Sequence, residues 1–339
     1  MATGTLQDAS IGYKAESVYG TPVVVDRFVE FVEESFEWDP KRVQGQGIRV
    51  GSKVARSARR VTTQTSAKGD MTVEMTSKGL GSLLAACVGT GASTLVTGTT
   101  YQQLFTLSTG TTPASLTVQK AVPRIDGTLD PYTFNGGVVE SFELDCPQGE
   151  IVTLKPSFIF REVLTNTAYA TPSYVATPSL FHFAQGAVTV GGTVTAPTTT
   201  ALASGGTAVA NVRDFNLKVD HKLTADRFNY NGAGKMAHPT YGLRDITGSM
   251  TIEYDAQTIG DAYLADTELA ATLTFTSTES LSSGVAQFQI VIPAFKLEGE
   301  LPKSNGTELV TQQVDFTVLD NLTAAQPLWI VLRTADTAL

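Results

Sequence analysis

Short stretches of this chain recur in the same order in its two halves, and that repetition limits the fold more than any single motif. Phe36 is followed 33 residues later by Gly69-Asp70-Met71-Thr72-Val73-Glu74, and Phe215 is followed 33 residues later by Gly248-Ser249-Met250-Thr251-Ile252-Glu253. Glu150-Ile151-Val152-Thr153 leads to Phe158 as Glu308-Leu309-Val310-Thr311 leads to Phe316, over the same eight-residue span. One matched segment could arise by chance. Three in one order point to a duplicated module. Within Asp70–Thr76, Met71, Val73 and Met75 alternate with Thr72, Glu74 and Thr76, the period-two pattern of a half-buried strand. The repeated unit is therefore β-rich.

Composition agrees. Of the 339 residues only 17% are charged and 8% aromatic, and Thr, Val, Ala and Gly replace the Glu, Lys and Leu from which long helices are built. The length allows two domains of ordinary size, each with its own core. Cys87 and Cys146 define neither a disulfide framework nor a zinc spacing. The N-terminus has no basic n-region and no apolar h-region, and the longest apolar runs, Leu83–Val88 and Leu328–Leu332, are far too short to cross a bilayer. These features predict a chain made in a cytoplasm with reduced thiols, without a membrane partner.

Residues 10–22 read as a turn-rich lead-in and Phe31–Trp38 as the first strand, with Phe36 and Trp38 on a buried face and Glu33, Ser35 and Glu37 on the other. Gly79–Val88 switches to helical spacing, and Ala256–Leu264 is the matching short helix of the second half. Further strands are expected at Ser115–Gln119, Val138–Asp145 and Ile151–Phe160, and at Thr272–Ser277, Phe288–Glu298 and Leu309–Leu319. Residues 89–113 form an insertion that the second half lacks. Leu328–Leu332 reads as a short apolar strand, either in the core or at a sheet edge. The expected division is 1–163 as a first module, 164–211 as a linker with a long surface loop, and 212–339 as a second module.

The net charge of −9 hides an uneven distribution. Lys41, Arg42, Arg49, Lys53, Arg56, Arg59, Arg60 and Lys68 lie between residues 40 and 69 with no Asp or Glu among them, and they are 8 of the 24 basic residues. The other 16 face 33 carboxylates, so the body is acidic. A basic arm on an acidic body suits head-to-tail binding between copies. A solvated basic loop and a nucleic-acid-binding arm are the alternatives, the latter weakened by the lack of any aromatic residue between Lys41 and Lys68. No catalytic constellation is present: Gly-x-Ser-x-Gly, His-Glu-x-x-His and the Gly-Lys-Ser/Thr phosphate loop are all missing. Gly45, Gly47 and Gly51 precede no helix, His182 sits in an aromatic strand and reads as a core or interface residue, His221 and His238 lie in loops without a second ligand at metal spacing, and Cys146 lacks a partnering His. The expectation is no enzyme, no cofactor and no metal.

Gly12-Tyr13-Lys14-Ala15-Glu16-Ser17-Val18-Tyr19-Gly20-Thr21-Pro22, the strand around Phe31–Phe36, Gly69–Glu74 with Lys78-Gly79-Leu80-Gly81, and Gly248–Glu253 together resemble the tail tube proteins of long-tailed phages. The resemblance is to the variety common in phages of actinobacteria, and it spans roughly residues 10–320. It implies a mainly β fold of two tail-tube-type sandwich or barrel modules, each with one short α-helix and a long inter-ring arm. It further implies a structural virion protein, assembled in the bacterial cytoplasm into stacked rings of the phage tail. Its partners would be itself, the tape-measure, tail-terminator and distal-tail proteins, and double-stranded DNA that passes without specific binding. The eight basic residues of the arm would then make inter-ring contacts, and Glu33 and Glu37 would face the lumen and repel phosphate. Three double modules make a pseudo-sixfold ring, with a six-chain ring as the alternative. Six modules giving four strands each make a barrel of about 24 strands, on the order of 48 Å across at the backbone, with a lumen of about 35–40 Å. The rival reading is an extracellular two-domain β-sandwich adhesin, which Thr-rich strands and Gly-rich loops suit equally.

Overall fold

Alternating side chains sort strands such as Ala67–Glu74, Thr153–Phe160 and Thr311–Val318 into a core face and a polar face. In the computed structural model, which describes residues 5–209, 211–254, 258–299 and 309–339, Ala67, Met71 and Val73 are buried while Lys68, Thr72 and Glu74 point the other way. The first half supplies β1 (Ser10–Ala15), β2 (Arg27–Val29), β3 (Phe31–Glu34), β4 (Glu37–Trp38), β5 (Lys41–Gln44), β6 (Arg60–Gln64), β7 (Ala67–Glu74), α1 (Gly81–Val88), β8 (Gly89–Thr97) and β9 (Thr100–Leu107). It continues with β10 (Leu116–Pro123), β11 (Leu129–Cys146), β12 (Thr153–Phe160) and β13 (Glu162–Leu164). Then come β14 (Gly186–Val190), β15 (Val194–Thr195), β16 (Ser204–Gly205) and β17 (Ala208–Val209). The second half holds β18 (Val212–Asp220), β19 (Asp245–Glu253), α2 (Thr258–Leu264), β20 (Leu269–Ser280), β21 (Val285–Gly299), β22 (Thr311–Val318) and β23 (Trp329–Thr334).

The repeat in the sequence is a repeat of register. Gly69 faces Phe158 and Glu74 faces Thr153, as Gly248 faces Phe316 and Glu253 faces Thr311. Val139 lies opposite Phe158 as Leu297 lies opposite Phe316. The irregularities recur as well. β10 slips against β11 between Leu116 and Val118, as β20 slips against β21 between Leu269 and Ala271. β3 slips against β7 between Phe31 and Glu33, as β18 slips against β19 between Val212 and Asp214. Bulges bend a strand and set its pairing, so matched bulges report matched backbones. Residues 186–209, expected within a linker, supply β14 and β17, which stand where β1 and β2 stand in the first half: Val209 faces Val188 as Val29 faces Ile11.

One equivalence shifts by two residues. Phe215 faces Met250 as Glu34 faces Met71, and Leu217, opposite Gly248, is the counterpart of Phe36, which lies against Gly69. The equal intervals of 33 residues therefore join non-equivalent aromatics. A shift of two keeps both side chains on one face, so the hydrophobic pattern does not register it.

The strands form two layers. A continuous run, β3/β4–β7–β12–β11–β18–β19–β22–β21, takes four strands from each half and joins them where β11 pairs with β18. β11 belongs to both layers, since its first part pairs with β10 and its last part with β12 and β18. β21 does the same in the second half, between β20 and β22. The expected insertion 89–113 holds the β8–β9 hairpin, and β9 pairs with β23. β23 also pairs with β21, so Leu328–Leu332 is a buried core strand with neighbours on both sides.

Several expected elements move. The first strand breaks into β3 and β4, and Trp38 is 48% exposed rather than buried, lying against the Arg42 guanidinium at 5.1 Å. It sits at the rim, where no outer strand covers it. Helix α1 starts at Gly81, not Gly79, whose φ of +86° is left-handed. Helix α2 is described from Thr258, and residues 256–257 of the expected span lie outside the described residues, as does Glu308 of the repeated Glu-x-Val-Thr segment. The surface loop expected at Thr193–Ala210 contains the small β15–β16 hairpin.

Candidate functional site

Three surfaces remain once the core is accounted for: the polar face of the eight-strand run, its two open edges, and the basic arm. The polar face follows from strand alternation. Each strand whose inward residues are apolar presents Thr, Ser, Asn or a charge outward, as with Thr247, Ser249 and Thr251 on β19. Carboxylates outnumber cations on it: Asp70, Glu74, Glu143, Asp145 and Asp315 share it with Lys68, Lys155 and Lys218. Glu33 and Glu37 lie exposed on the same side. Glu33 accepts from Thr72 Oγ1 at 3.1 Å and lies 3.7 Å from Lys155, and Glu37 lies 3.8 Å from Lys68. Both are thus partly offset by lysines, and at this exposure such pairs contribute little to stability.

Carboxylates also crowd together at the junction of the halves. Asn216 Nδ2 donates to Glu143 Oε1 at 2.6 Å, and Asp145 stands beside them opposite Asn216. Burial pushes the Asp145 carboxyl above its ordinary range, with help from the Glu143 and Asp214 charges. A raised carboxyl pKa means the folded chain holds the proton more tightly than the unfolded one. The penalty is absent below the unfolded pKa and develops as pH rises through the folded one. Asp145→Asn is expected to raise the thermal midpoint at pH 7, with the gain shrinking toward pH 4. Equal midpoints at pH 7 would show that the crowding costs nothing.

The basic arm is the β5–β6 hairpin and its tip. Ile48, Val50 and Val54 are 100%, 99% and 80% exposed, and the turn uses Gly51 at φ +81°. The Arg59 side chain lies against Gly45 and Gly47. Among the described residues, Lys41, Arg42, Arg49, Lys53, Arg56, Arg59 and Arg60 have no carboxylate within 4.0 Å, whereas Lys68 pairs with Asp39 at 3.2 Å. Seven of the eight basic residues thus have no carboxylate partner among the described residues, and Lys68 belongs to the polar face.

The corresponding segment of the second half, 221–244, is folded onto the first half. His221, fully buried, has its Nε2 2.6 Å from the Cys87 carbonyl at the end of α1. Burial pushes its pKa down to about 4, so at neutral pH the ring is uncharged and its N–H donates to that carbonyl. His238 stacks on Tyr19 at 4.3 Å, Lys235 pairs with Glu162 at 2.5 Å, and Tyr241 N–H donates to the Thr111 carbonyl at 3.0 Å. Both cysteines are buried and their thiols are pushed up by desolvation, which keeps them protonated.

The two open edges lie at opposite ends of the run. β3 and β4 pair only with β7, and Lys296–Gly299 of β21 pair only with β22, among the described residues. A search of curated proteins finds no match. The model of the phage tail tube protein family, by contrast, matches residues 7–318, which take in the arm, both helices and all of the eight-strand run. The chain belongs to the phage tail tube protein family, and is therefore a structural protein of the virion tail and not an enzyme.

Proposed function

We propose that three copies of this chain close a ring in which the eight-strand runs join edge to edge, and that stacked rings form the tube through which the genome leaves a long-tailed phage. The observation that carries this is the β11–β18 junction. It joins one half to the other by strand pairing, and the two open edges are the same two edges one module further on. A head-to-tail contact of this kind closes when its rotation divides a full turn, and three pseudo-twofold chains then supply about 24 strands. On this reading 1–163 and 212–339 are the two tube modules, joined by 164–211, whose β14 and β17 complete the second. The polar face lines the channel, with Glu33 and Glu37 in the wall, and its surplus of carboxylates keeps duplex DNA from binding, since phosphate-bound cations would hold it. Tape-measure, terminator and distal-tail proteins contact the ends and interior. Negative-stain microscopy with mass measurement of released rings tests the proposal: three chains per ring support it, and six chains or persistent monomers overturn it.

The basic arm couples rings in this scheme. Its seven cations without a carboxylate partner among the described residues, and its exposed Ile48, Val50 and Val54, suit a segment that orders against an acidic neighbour, where repeated Arg–carboxylate contacts add up. Changing Arg56, Arg59 and Arg60 together to Glu is expected to leave the subunit's melting unchanged within a degree or two, since none of the three holds an ion pair among the described residues, and to stop elongation. Full-length tubes from this variant would remove the arm from the coupling role.

A further inference from the structure

The open edge at β4 is not bare. Ser35 N–H donates to the Asp70 carbonyl at 3.0 Å and Asp39 N–H to the Ser66 carbonyl at 2.9 Å, so these residues turn their N–H groups toward β7. Alternation then turns the N–H and C=O of Phe36 outward, to the side where a further strand would lie. Both are occupied. Phe36 N–H donates to Glu34 Oε2 at 2.8 Å, and Lys120 Nζ donates to the Phe36 carbonyl at 2.8 Å. Lys120 also donates to both Glu34 oxygens at 3.0 Å, and the two side chains are only 17% and 22% exposed. A carboxylate and an ammonium, locked to each other, thus supply the acceptor and the donor that a neighbouring strand supplies.

Inside the chain the equivalent position is filled by a strand. Leu217, the counterpart of Phe36, lies opposite Leu144 of β11. Phe215 stands where Glu34 stands, so the second half has no carboxylate at that place. The capped edge occurs where the chain ends its run, and the uncapped one where the chain itself provides the partner.

We propose that Glu34 and Lys120 hold the place of an absent strand in the free chain, and that the end of β21 from a second copy displaces them. The inference rests on the ring reading above. Its register follows from the internal junction. Phe142 faces Val219 there. Val219, opposite Ile246, corresponds to Trp38, opposite Ala67. Gly299, opposite Val314, corresponds to Phe142, opposite Pro156. Gly299 of the incoming copy therefore comes to lie opposite Trp38, whose half-exposed ring covers it, as aromatic rings do over glycines on a neighbouring strand. The cap explains how an edge built to be paired stays soluble until it meets the right strand, the management that exposed edges require.

Three measurements test this. Trp38→Cys combined with Gly299→Cys is expected to give disulfide-linked multimers under mild oxidation, because directly opposed strand residues bring Cα atoms within bridging range. Tubes that assemble without cross-links would overturn the register while leaving the ring reading intact. Cross-links in a chain that never forms rings would support the edge contact and sink the ring. In unassembled chains, Glu34→Ala is expected to expose the Phe36 amide to hydrogen exchange while the Ser35 and Asp39 amides stay protected. It should also lower the concentration at which assembly begins by about tenfold, the equivalent of one lost charge-assisted hydrogen bond. Lys120→Met, which frees the Phe36 carbonyl instead, gives a second reading if Glu34→Ala folds poorly. An unchanged Phe36 exchange rate, or an assembly threshold that is equal or higher in both variants, would overturn the cap.

Discussion

Replacing Phe160 by alanine is expected to cost about 3–5 kcal/mol of subunit stability, the range for emptying a large aromatic site in a core. Phe160 is fully buried, and its ring centroid lies 5.4 Å from Phe36, 5.0 Å from Phe134 and 5.5 Å from Phe158. These four rings come from β12, from β11 and from the segment between β3 and β4, so they tie the two layers of the first half together. Backbone glycine makes the arrangement possible. A Cβ at Gly137 would come within 2.6 Å of the Phe160 ring, at the point where β11 passes from one layer to the other. Neighbouring side chains fixed on separate strands cannot close the resulting space. A loss of 3 kcal/mol shifts the folded-to-unfolded ratio by roughly two orders of magnitude, easily read from urea melts of the unassembled chain. Phe183→Ala, at a site 37% exposed, serves as the control and should cost far less. A Phe160→Ala loss under about 1 kcal/mol would show that the cluster is not central to the core.

Trp38→Pro is expected to abolish ring formation while leaving a folded subunit. The Trp38 N–H, two residues from that of Phe36, points to the same open edge, so proline removes a donor that the single chain does not use against β7. Its counterpart Val219 faces Phe142 across the internal junction, where such a donor is used. The subunit loses the packing of Arg42 on the Trp38 ring, about 0.5–1 kcal/mol at an exposed site. Circular dichroism should therefore report a native sheet, while size-exclusion chromatography with light scattering reports monomers at concentrations where the unaltered chain polymerises. Tubes of ordinary length from Trp38→Pro would place ring closure on some other surface.

Much of this architecture is legible in the sequence, and the unreadable part has a common cause. Met71 and Val73 against Thr72 and Glu74 announce a strand with one wet face, and the Leu83, Leu84 and Val88 spacing announces α1. The basic arm is visible as charge alone. What escapes is whatever depends on the pairing of distant strands. The two-residue slip between Phe36 and Leu217 leaves the hydrophobic pattern intact, and only the bulges after Phe31 and Val212 reveal it. Trp38 looks like a core residue because its face is apolar, yet its strand is the last in the sheet. Glu34 and Lys120 are 86 residues apart in the chain, and nothing local marks them as partners. β14 and β17 are too short and too rich in Gly, Ala and Thr to announce strands, and their register against β20 is what defines them. His221 reads as a loop residue and is buried because the second arm folds inward.

If three copies close a ring as proposed, the pairing of β11 with β18 also changes the molecularity of tube growth. In a closed circle of six modules, every second seam is made when a single polypeptide folds, at the effective concentration its own connecting segment sets and not at that of free subunits. Nucleation of such a ring would require the meeting of three bodies in place of six, so its rate would follow the third power of subunit concentration where unlinked modules would follow the sixth. Growth can therefore begin while the protein is still dilute, early in its accumulation. The seams that remain intermolecular are left as the only ones on which the timing of assembly can act.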